Sequence, residues 1–191
     1  MVEMIEIVAY KNSWPLEFRE LAFALRRGLG PLALRIDHIG STSVPGLAAK
    51  DVIDIQISVA AFSPQLLSAL STLGYSHLED FRSDHRPAHT GEADSEWEKW
   101  FFNPPPGQRR TNTHVRLQGQ ANQRYALLFR DYLRAHPATA ESYGELKRRL
   151  AENLSDLRMY AEVKDPAVDL IYLAAEEWAT SISWKPGQSD A

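Results

Sequence analysis

Chemistry in this 191-residue chain can begin at a turn of small residues, Gly40-Ser41-Thr42-Ser43, and at the acid beyond it, Asp54. The backbone N–H groups and hydroxyls of such a turn can wrap an anion such as a phosphate, especially where a helix N-terminus follows, and Lys50 can add a cation. Asp54 sits in an alternating stretch in which Ile53, Ile55, Ile57 and Val59 point one way and Asp54, Gln56 and Ser58 the other. That is the period of a strand with one buried face, so Asp54 and Gln56 project together. A second alternating stretch, Asn112 to Leu117, puts His114 and Arg116 on one face and Val115 and Leu117 on the other. His38, just before the turn, is either a structural histidine bonded to a backbone carbonyl or a general base. Arg109, Arg110 and Arg130 are either surface charges or further cations for the same anion. His85 and His89 have a zinc-like spacing, but they stand in an irregular segment without a third ligand, and a metal there is not expected.

The elements that must position these groups can be outlined from hydropathy. Ser13 and Pro15 open a helix through Leu16, Phe18, Leu21, Ala22, Leu25 and Leu29, which Gly30-Pro31 ends. Leu32, Leu34 and Ile36 then alternate as a strand feeding into His38 and the turn. Ser63-Pro64 starts a second helix that ends at Gly74. From Glu79 to Glu98 no period is sustained, and a long exposed loop that can cover a pocket is expected. Trp97 to Asn103 reads as a strand. The remainder is helical: Gln120 to Ala135, Thr139 to about Leu154, and a last helix starting at the cap-like pair Asp165-Pro166 and running to about Ile182. The Leu, Phe and Tyr stripes of these helices read as core, and the basic run Lys147-Arg148-Arg149 as a solvated helix face. Strands first and helices last give an α+β protein with helices packed on one sheet face.

Composition narrows the function classes. With 44% hydrophobic and 24% charged residues the chain is an ordinary globular mixture, expected to form one domain over residues 1–184 with a frayed tail at 185–191. The absence of cysteine removes disulfides, thiolate metal sites and a cysteine nucleophile. A formal net charge of -4 argues against a broad nucleic-acid footprint, although a locally positive pocket is still allowed. Met1-Val2-Glu3 is followed by no long apolar run, so neither a signal peptide nor a membrane partner is expected, and the cytoplasm is the expected location.

The Gly40-Ser41 pair, 12 intervening residues (42 to 53) and then Asp54-Ile55-Gln56-Ile57 are similar to the nucleotidyltransferase superfamily signature. In that signature the loop holds nucleotide phosphates and strand carboxylates hold a divalent metal. The longer string from His38 to Ile55 resembles the GrpB family, small bacterial proteins of nucleotidyltransferase-like fold that also occur fused to some dephospho-CoA kinases. Val8-Ala9-Tyr10, Trp14-Pro15, Thr113-His114-Val115-Arg116-Leu117, the run from Leu128 to Arg134, Tyr160 and Lys164 extend the resemblance over nearly the whole chain.

The resemblance implies a nucleotidyltransferase-like mixed sheet with a helical C-terminal part. It also implies phosphate binding at Gly40, Ser41, Thr42 and Lys50, and Mg2+ at Asp54. Gln56 departs from the superfamily by replacing a second carboxylate with an amide, and Arg116 departs from a His-x-His family pattern, so metal binding is expected to be weak. Tyr160 and Lys164 match the end of the family pattern, where Lys164 can help hold an anion. The implied activity is nucleotidyl transfer from ATP or another nucleotide to a small acceptor. In it Lys50, Arg109 and Arg116 neutralise charge, and His38 or His114 handles the acceptor proton. Two alternatives stand beside it: a non-catalytic module that binds a phosphorylated ligand or assists a partner enzyme, and an ATP-dependent ligase acting through an adenylated acid.

Overall fold

The structure, a computed structural model, describes residues 5–88 and 90–191, with the side chain of Leu157 left aside; His89 thus lies outside the described residues. Helix α1 (Trp14–Leu29) has Pro15 in its first turn and buries Trp14, Phe18, Ala22, Leu25 and Leu29, a stripe at helical spacing. The chain then tightens into a 3-10 turn at Gly30–Leu32, so strand β1 begins at Arg35 and not at Leu32 as its alternation suggested, and ends at Ile39. The Ser41–Ser43 turn leads to β2 (Ile53–Val59). Ser63 caps α2 (Pro64–Thr72) by accepting the Leu66 N–H at 3.2 Å. Strands β3 (Ser76–His77), β4 (Trp100–Asn103) and β5 (Thr111–Leu117) complete a sheet of order β1-β2-β5-β4-β3. β2 and β5 run parallel and the other pairs antiparallel.

Helices α3 (Ala121–Ala135), α4 (Pro137–Asn153) and α5 (Leu157–Ile182) form the C-terminal part. α5 starts ahead of the expected Asp165-Pro166. Asp156 accepts the Arg158 and Met159 N–H groups, satisfying the first turn, and Pro166 falls inside the helix. Tyr160 and Lys164 therefore lie one turn apart on a continuous helix. Among the described residues no helix is long and apolar enough to cross a membrane.

Alternation divides the sheet into two faces. Ile36, Ile53, Ile55, Ile57 and Val115 pack with α1 and α2 in one core, while a second cluster joins Val44 and Leu47 to α3, α4 and α5. The register pairs Ile39 with Asp54, Asp54 with Asn112, and Gln56 with His114, so the opposite face is largely polar. α3 reaches this face through Gln123, whose main-chain oxygen accepts from Gln56 at 3.2 Å and whose amide donates to Ser58 at 3.3 Å. The remaining polar surface is left between the sheet and the C-terminal helices, and it forms a cleft. At the sheet edge the last residues of the chain pair with β1: Asp190 accepts the His38 N–H at 2.9 Å and Ala191 donates to the Ile36 carbonyl at 3.1 Å. The end read from sequence as frayed thus covers backbone groups of an edge strand.

Candidate functional site

The cleft encloses about 530 Å3, and the turn, the polar sheet face, α3, α4 and α5 all line it. Gly40 and Asp54 set its floor. Gly40 has φ +67, and a β-carbon there would overlap the Asp54 carboxylate, so glycine is required both by conformation and by space. Asp54 Oδ1 accepts from Asn112 Nδ2 at 2.7 Å. Burial pushes its pKa up, against that hydrogen bond and the positive charges of Lys50, Arg116 and Lys147.

Lys147 was read from sequence as part of a solvated basic face, and the structure corrects this. It is only 4% exposed, its Nζ donates to Ser41 Oγ at 2.8 Å, and its ammonium lies 4.6 Å from the centre of the Tyr143 ring. Burial, and after it the repulsion of Lys164, brings its pKa from an ordinary 10.5 to about 7. The missed signal was periodic: Ala140, Tyr143, Gly144 and Lys147 form the buried stripe of α4. At Gly144 a β-carbon would lie 3.4 Å from Leu47, which shows how closely the helix approaches the loop behind the turn.

The structure gathers most of the expected residues here. Gly40, Ser41, Thr42, Lys50, Asp54, His114, Arg116, Tyr160 and Lys164 all line the cleft. Lys50 lies 4.9 Å from the centre of the Tyr160 ring, and burial pushes the Tyr160 hydroxyl up to about 12. Tyr125, Phe129 and Tyr143, expected only as core, also form part of its wall, and Arg110 reaches it as well.

Two expected residues lie elsewhere. His38 pairs with Ile55 in the register and so faces α1, where its ring stacks on Phe18 with centroids 4.6 Å apart and its Nε2 lies 3.0 Å from Thr42 Oγ1. Burial, followed by the charges of Arg134 and Arg130, lowers its pKa to about 3. Its ring is held neutral away from the cleft, with the Thr42 hydroxyl as its partner in place of the backbone carbonyl expected for a structural histidine. Arg109 binds Glu17 at 2.5 Å, the Asp51 carbonyl at 2.8 Å and the Asp51 carboxylate, tying α1 to the loop before β2.

Arg116 lines the cleft but is fully engaged. Its guanidinium meets Asp84 through two hydrogen bonds of 2.7 and 2.8 Å and donates to Gln56 Oε1 at 2.6 Å. Asp84 also accepts from Lys99 at 2.8 Å and Asn122 at 3.1 Å. Burial opposes the charge on Asp84, but Arg116 and Lys99 outweigh it and hold the carboxyl far below the usual range. Arg116 Nη2 lies 3.3 Å from His114 Nδ1, and burial, then the charges of Arg116 and Lys99, keeps His114 neutral. Asp84 comes from the Glu79 to Glu98 segment expected as an exposed loop. That segment is pinned by a Ser83–Glu98 bridge, buries Trp97 in a 3-10 turn and sends His85 to Asp169 of α5 at 2.8 Å.

Asp54 is the one acid among the cleft-lining residues, and no group of three or more His, Cys, Asp or Glu suited to a metal ion occurs among the described residues. The residues present therefore do not build a magnesium site from protein alone.

A mixed α+β sheet with a cationic cleft between its polar face and three C-terminal helices defines the class of this protein. The chain belongs to the GrpB protein family, which it matches over residues 4–173. It is similar to a GrpB crystal structure from Enterococcus faecalis with a TM-score of 0.71 and 29% identity, covering 91% of this chain and 99% of that one. A dephospho-CoA kinase of Mycolicibacterium paratuberculosis is 36% identical over 95% of this chain and 48% of its own length, so the chain spans about half of that relative. The UPF0157 protein BH1888 of Halalkalibacterium halodurans is 32% identical over 87% of this chain and 80% of its length. The Cid1 complex with the UTP analogue UMPNPP aligns more loosely, with a TM-score of 0.48 and 13% identity over 76% of this chain and 43% of that one.

Proposed function

We propose that the cleft binds a phosphorylated small molecule, a nucleotide in the first instance. The phosphates lie against the Gly40–Thr42 turn within reach of Lys50, Lys147 and Lys164, and a base or other flat group lies against the aromatic wall. The observation that carries this reading is Lys147. Burial brings the pKa of this lysine down to about 7, so its charge is poised, and an anion bound beside it would favour the charged form; it is joined to a hydroxyl of a turn suited to phosphate. Lys50 and Lys164 stand around the same space with Asp54 as the lining acid.

Nucleotidyl transfer to a small acceptor is the catalytic form of this reading, and it requires the nucleotide to bring its own magnesium, since among the described residues a single carboxylate lines the cleft. The binding-module form is favoured by Arg116, whose donors are occupied by Asp84 and Gln56 and not held ready for an α-phosphate. A domain of this kind serving a partner enzyme also fits relatives named dephospho-CoA kinase, of which the matched region is about half. A thermal-shift screen of nucleotides and phosphorylated metabolites, with and without magnesium, tests the reading. Ligands that bind only the folded state raise the melting temperature, and a screen without any shift counts against it.

A further inference from the structure

Ser41 and Lys147 meet within proton-transfer distance: the protonated amine donates to Ser41 Oγ, and once neutral it can accept the hydroxyl proton across the same contact. Ser41 Oγ lies 2.8 Å from Lys147 Nζ inside the cleft. Lys147 is faced by Lys50 from the loop before β2, Asp54 from β2, Lys164 and Tyr160 from α5, and Tyr143 and Arg148 from α4 itself. Burial is the largest cause favouring the neutral amine, and the cations, which outnumber the acid in this set, act in the same direction. A neutral amine near pH 7 can accept the proton of a hydroxyl, which an ordinary lysine cannot do. Neither histidine near the cleft competes for the role, because His38 faces α1 and His114 Nδ1 is turned to Arg116.

The geometry points to Ser41 as a catalytic nucleophile and Lys147 as its general base, acting on a carboxylic ester whose acid or alcohol portion carries a phosphate or carboxylate. This activity goes beyond ligand binding and rests on the proposed anion site only for the charged group of the substrate. Ser41 Oγ bonds to the acyl carbon while its proton passes to Lys147 Nζ. The bond from the acyl carbon to the alcohol oxygen then breaks, and that oxygen takes the proton from Lys147, leaving an acyl-Ser41 ester. Water adds to the acyl carbon and gives a proton to Lys147, and the acid departs as Ser41 Oγ recovers that proton. One ester and one water become one acid and one alcohol, with no change of oxidation state. The ammonium groups of Lys50 and Lys164 supply the positive field in which the oxyanion develops.

The test is to treat the whole chain with a fluorophosphonate probe and map the adduct by peptide mass spectrometry. The expected result is an adduct on Ser41 that forms about tenfold faster at pH 8 than at pH 6, following the free amine. Ser41→Ala is expected to give none, and Lys147→Arg, which keeps a cation but not the base, to slow labelling at least about tenfold. Absence of a Ser41 adduct at pH 8, or labelling unchanged by Lys147→Arg, overturns the proposal. If the Lys147 variant does not fold, the wild-type profile decides, and labelling independent of pH between 6 and 8 overturns it. Pyrophosphate binding, measured by calorimetry on the same preparations, keeps the two readings apart. Binding without labelling removes the nucleophile and leaves the anion site, whereas labelling without binding does the reverse.

Discussion

Lys147 of α4 and Ser41 of the turn after β1 lie 2.8 Å apart although 106 positions separate them in sequence. The contact joins the C-terminal helices to the turn, and the burial of Lys147 there adds a pH-dependent contribution to stability. In the folded protein Lys147 titrates near 7 and in the unfolded chain near its ordinary 10.5, so between these values the unfolded state holds more protons. Stability should therefore rise with pH across that window and be insensitive to this group below it. Each pH unit contributes up to about 1.4 kcal/mol. Denaturation of the wild type and of Lys147→Met from pH 6 to 10 checks this, with a flatter profile expected for the variant.

Gly40→Ala should destabilise the protein by about 2 kcal/mol or more, because the new methyl meets both a positive φ and the Asp54 carboxylate. Gly46, whose φ is +81 but whose added β-carbon would meet nothing within 4 Å, is the control and should lose less. Urea melts of the two variants give the comparison. Equal losses would show that the crowding at Asp54 is immaterial.

Arg116→Ala should cost about 3 kcal/mol, since it removes the guanidinium from the largely enclosed Asp84 carboxylate and leaves Lys99 and Asn122 as its hydrogen-bond donors. Asp84→Asn should be costly for the converse reason. The double variant should lose much less than the sum of the two, and additive losses in a double-mutant cycle would contradict the pairing.

The same pair shows how far the sequence could be read. The β2 and β5 alternations placed Asp54, His114 and Arg116 on one face, and the register confirms it. The same alternation could have removed His38 from the cleft, because His38 lies opposite Ile55 and not opposite Asp54. Asp84 was out of reach, since a carboxylate in an aperiodic segment gives no local sign of the guanidinium it will meet. Lys147 was legible only as the fourth member of a stripe whose other members are small or aromatic, and its basic neighbours concealed it. The start of α5 was masked by Asp165-Pro166, a cap-like pair that the fold places inside a helix begun at Asp156.

Magnesium should bind the ligand-free protein poorly, because among the described residues Asp54 stands in the cleft without a second acid. Asp54→Asn should remove whatever part of nucleotide binding depends on magnesium and leave the part that does not. Titrations of ATP with magnesium and with EDTA separate the two. A tight magnesium site in the absence of nucleotide would contradict the expectation.

The most direct measurement is calorimetric titration of ATP into the wild type and into Lys147→Met at pH 6, on the acid side of the Lys147 pKa of about 7, where the charged donor is favoured. A charge-assisted bond to phosphate is worth about 1.5 to 3 kcal/mol, so the variant should bind roughly 10- to 150-fold more weakly. No binding by the wild type, or equal affinities in a folded variant, would contradict the assignment of this cleft to a phosphorylated ligand.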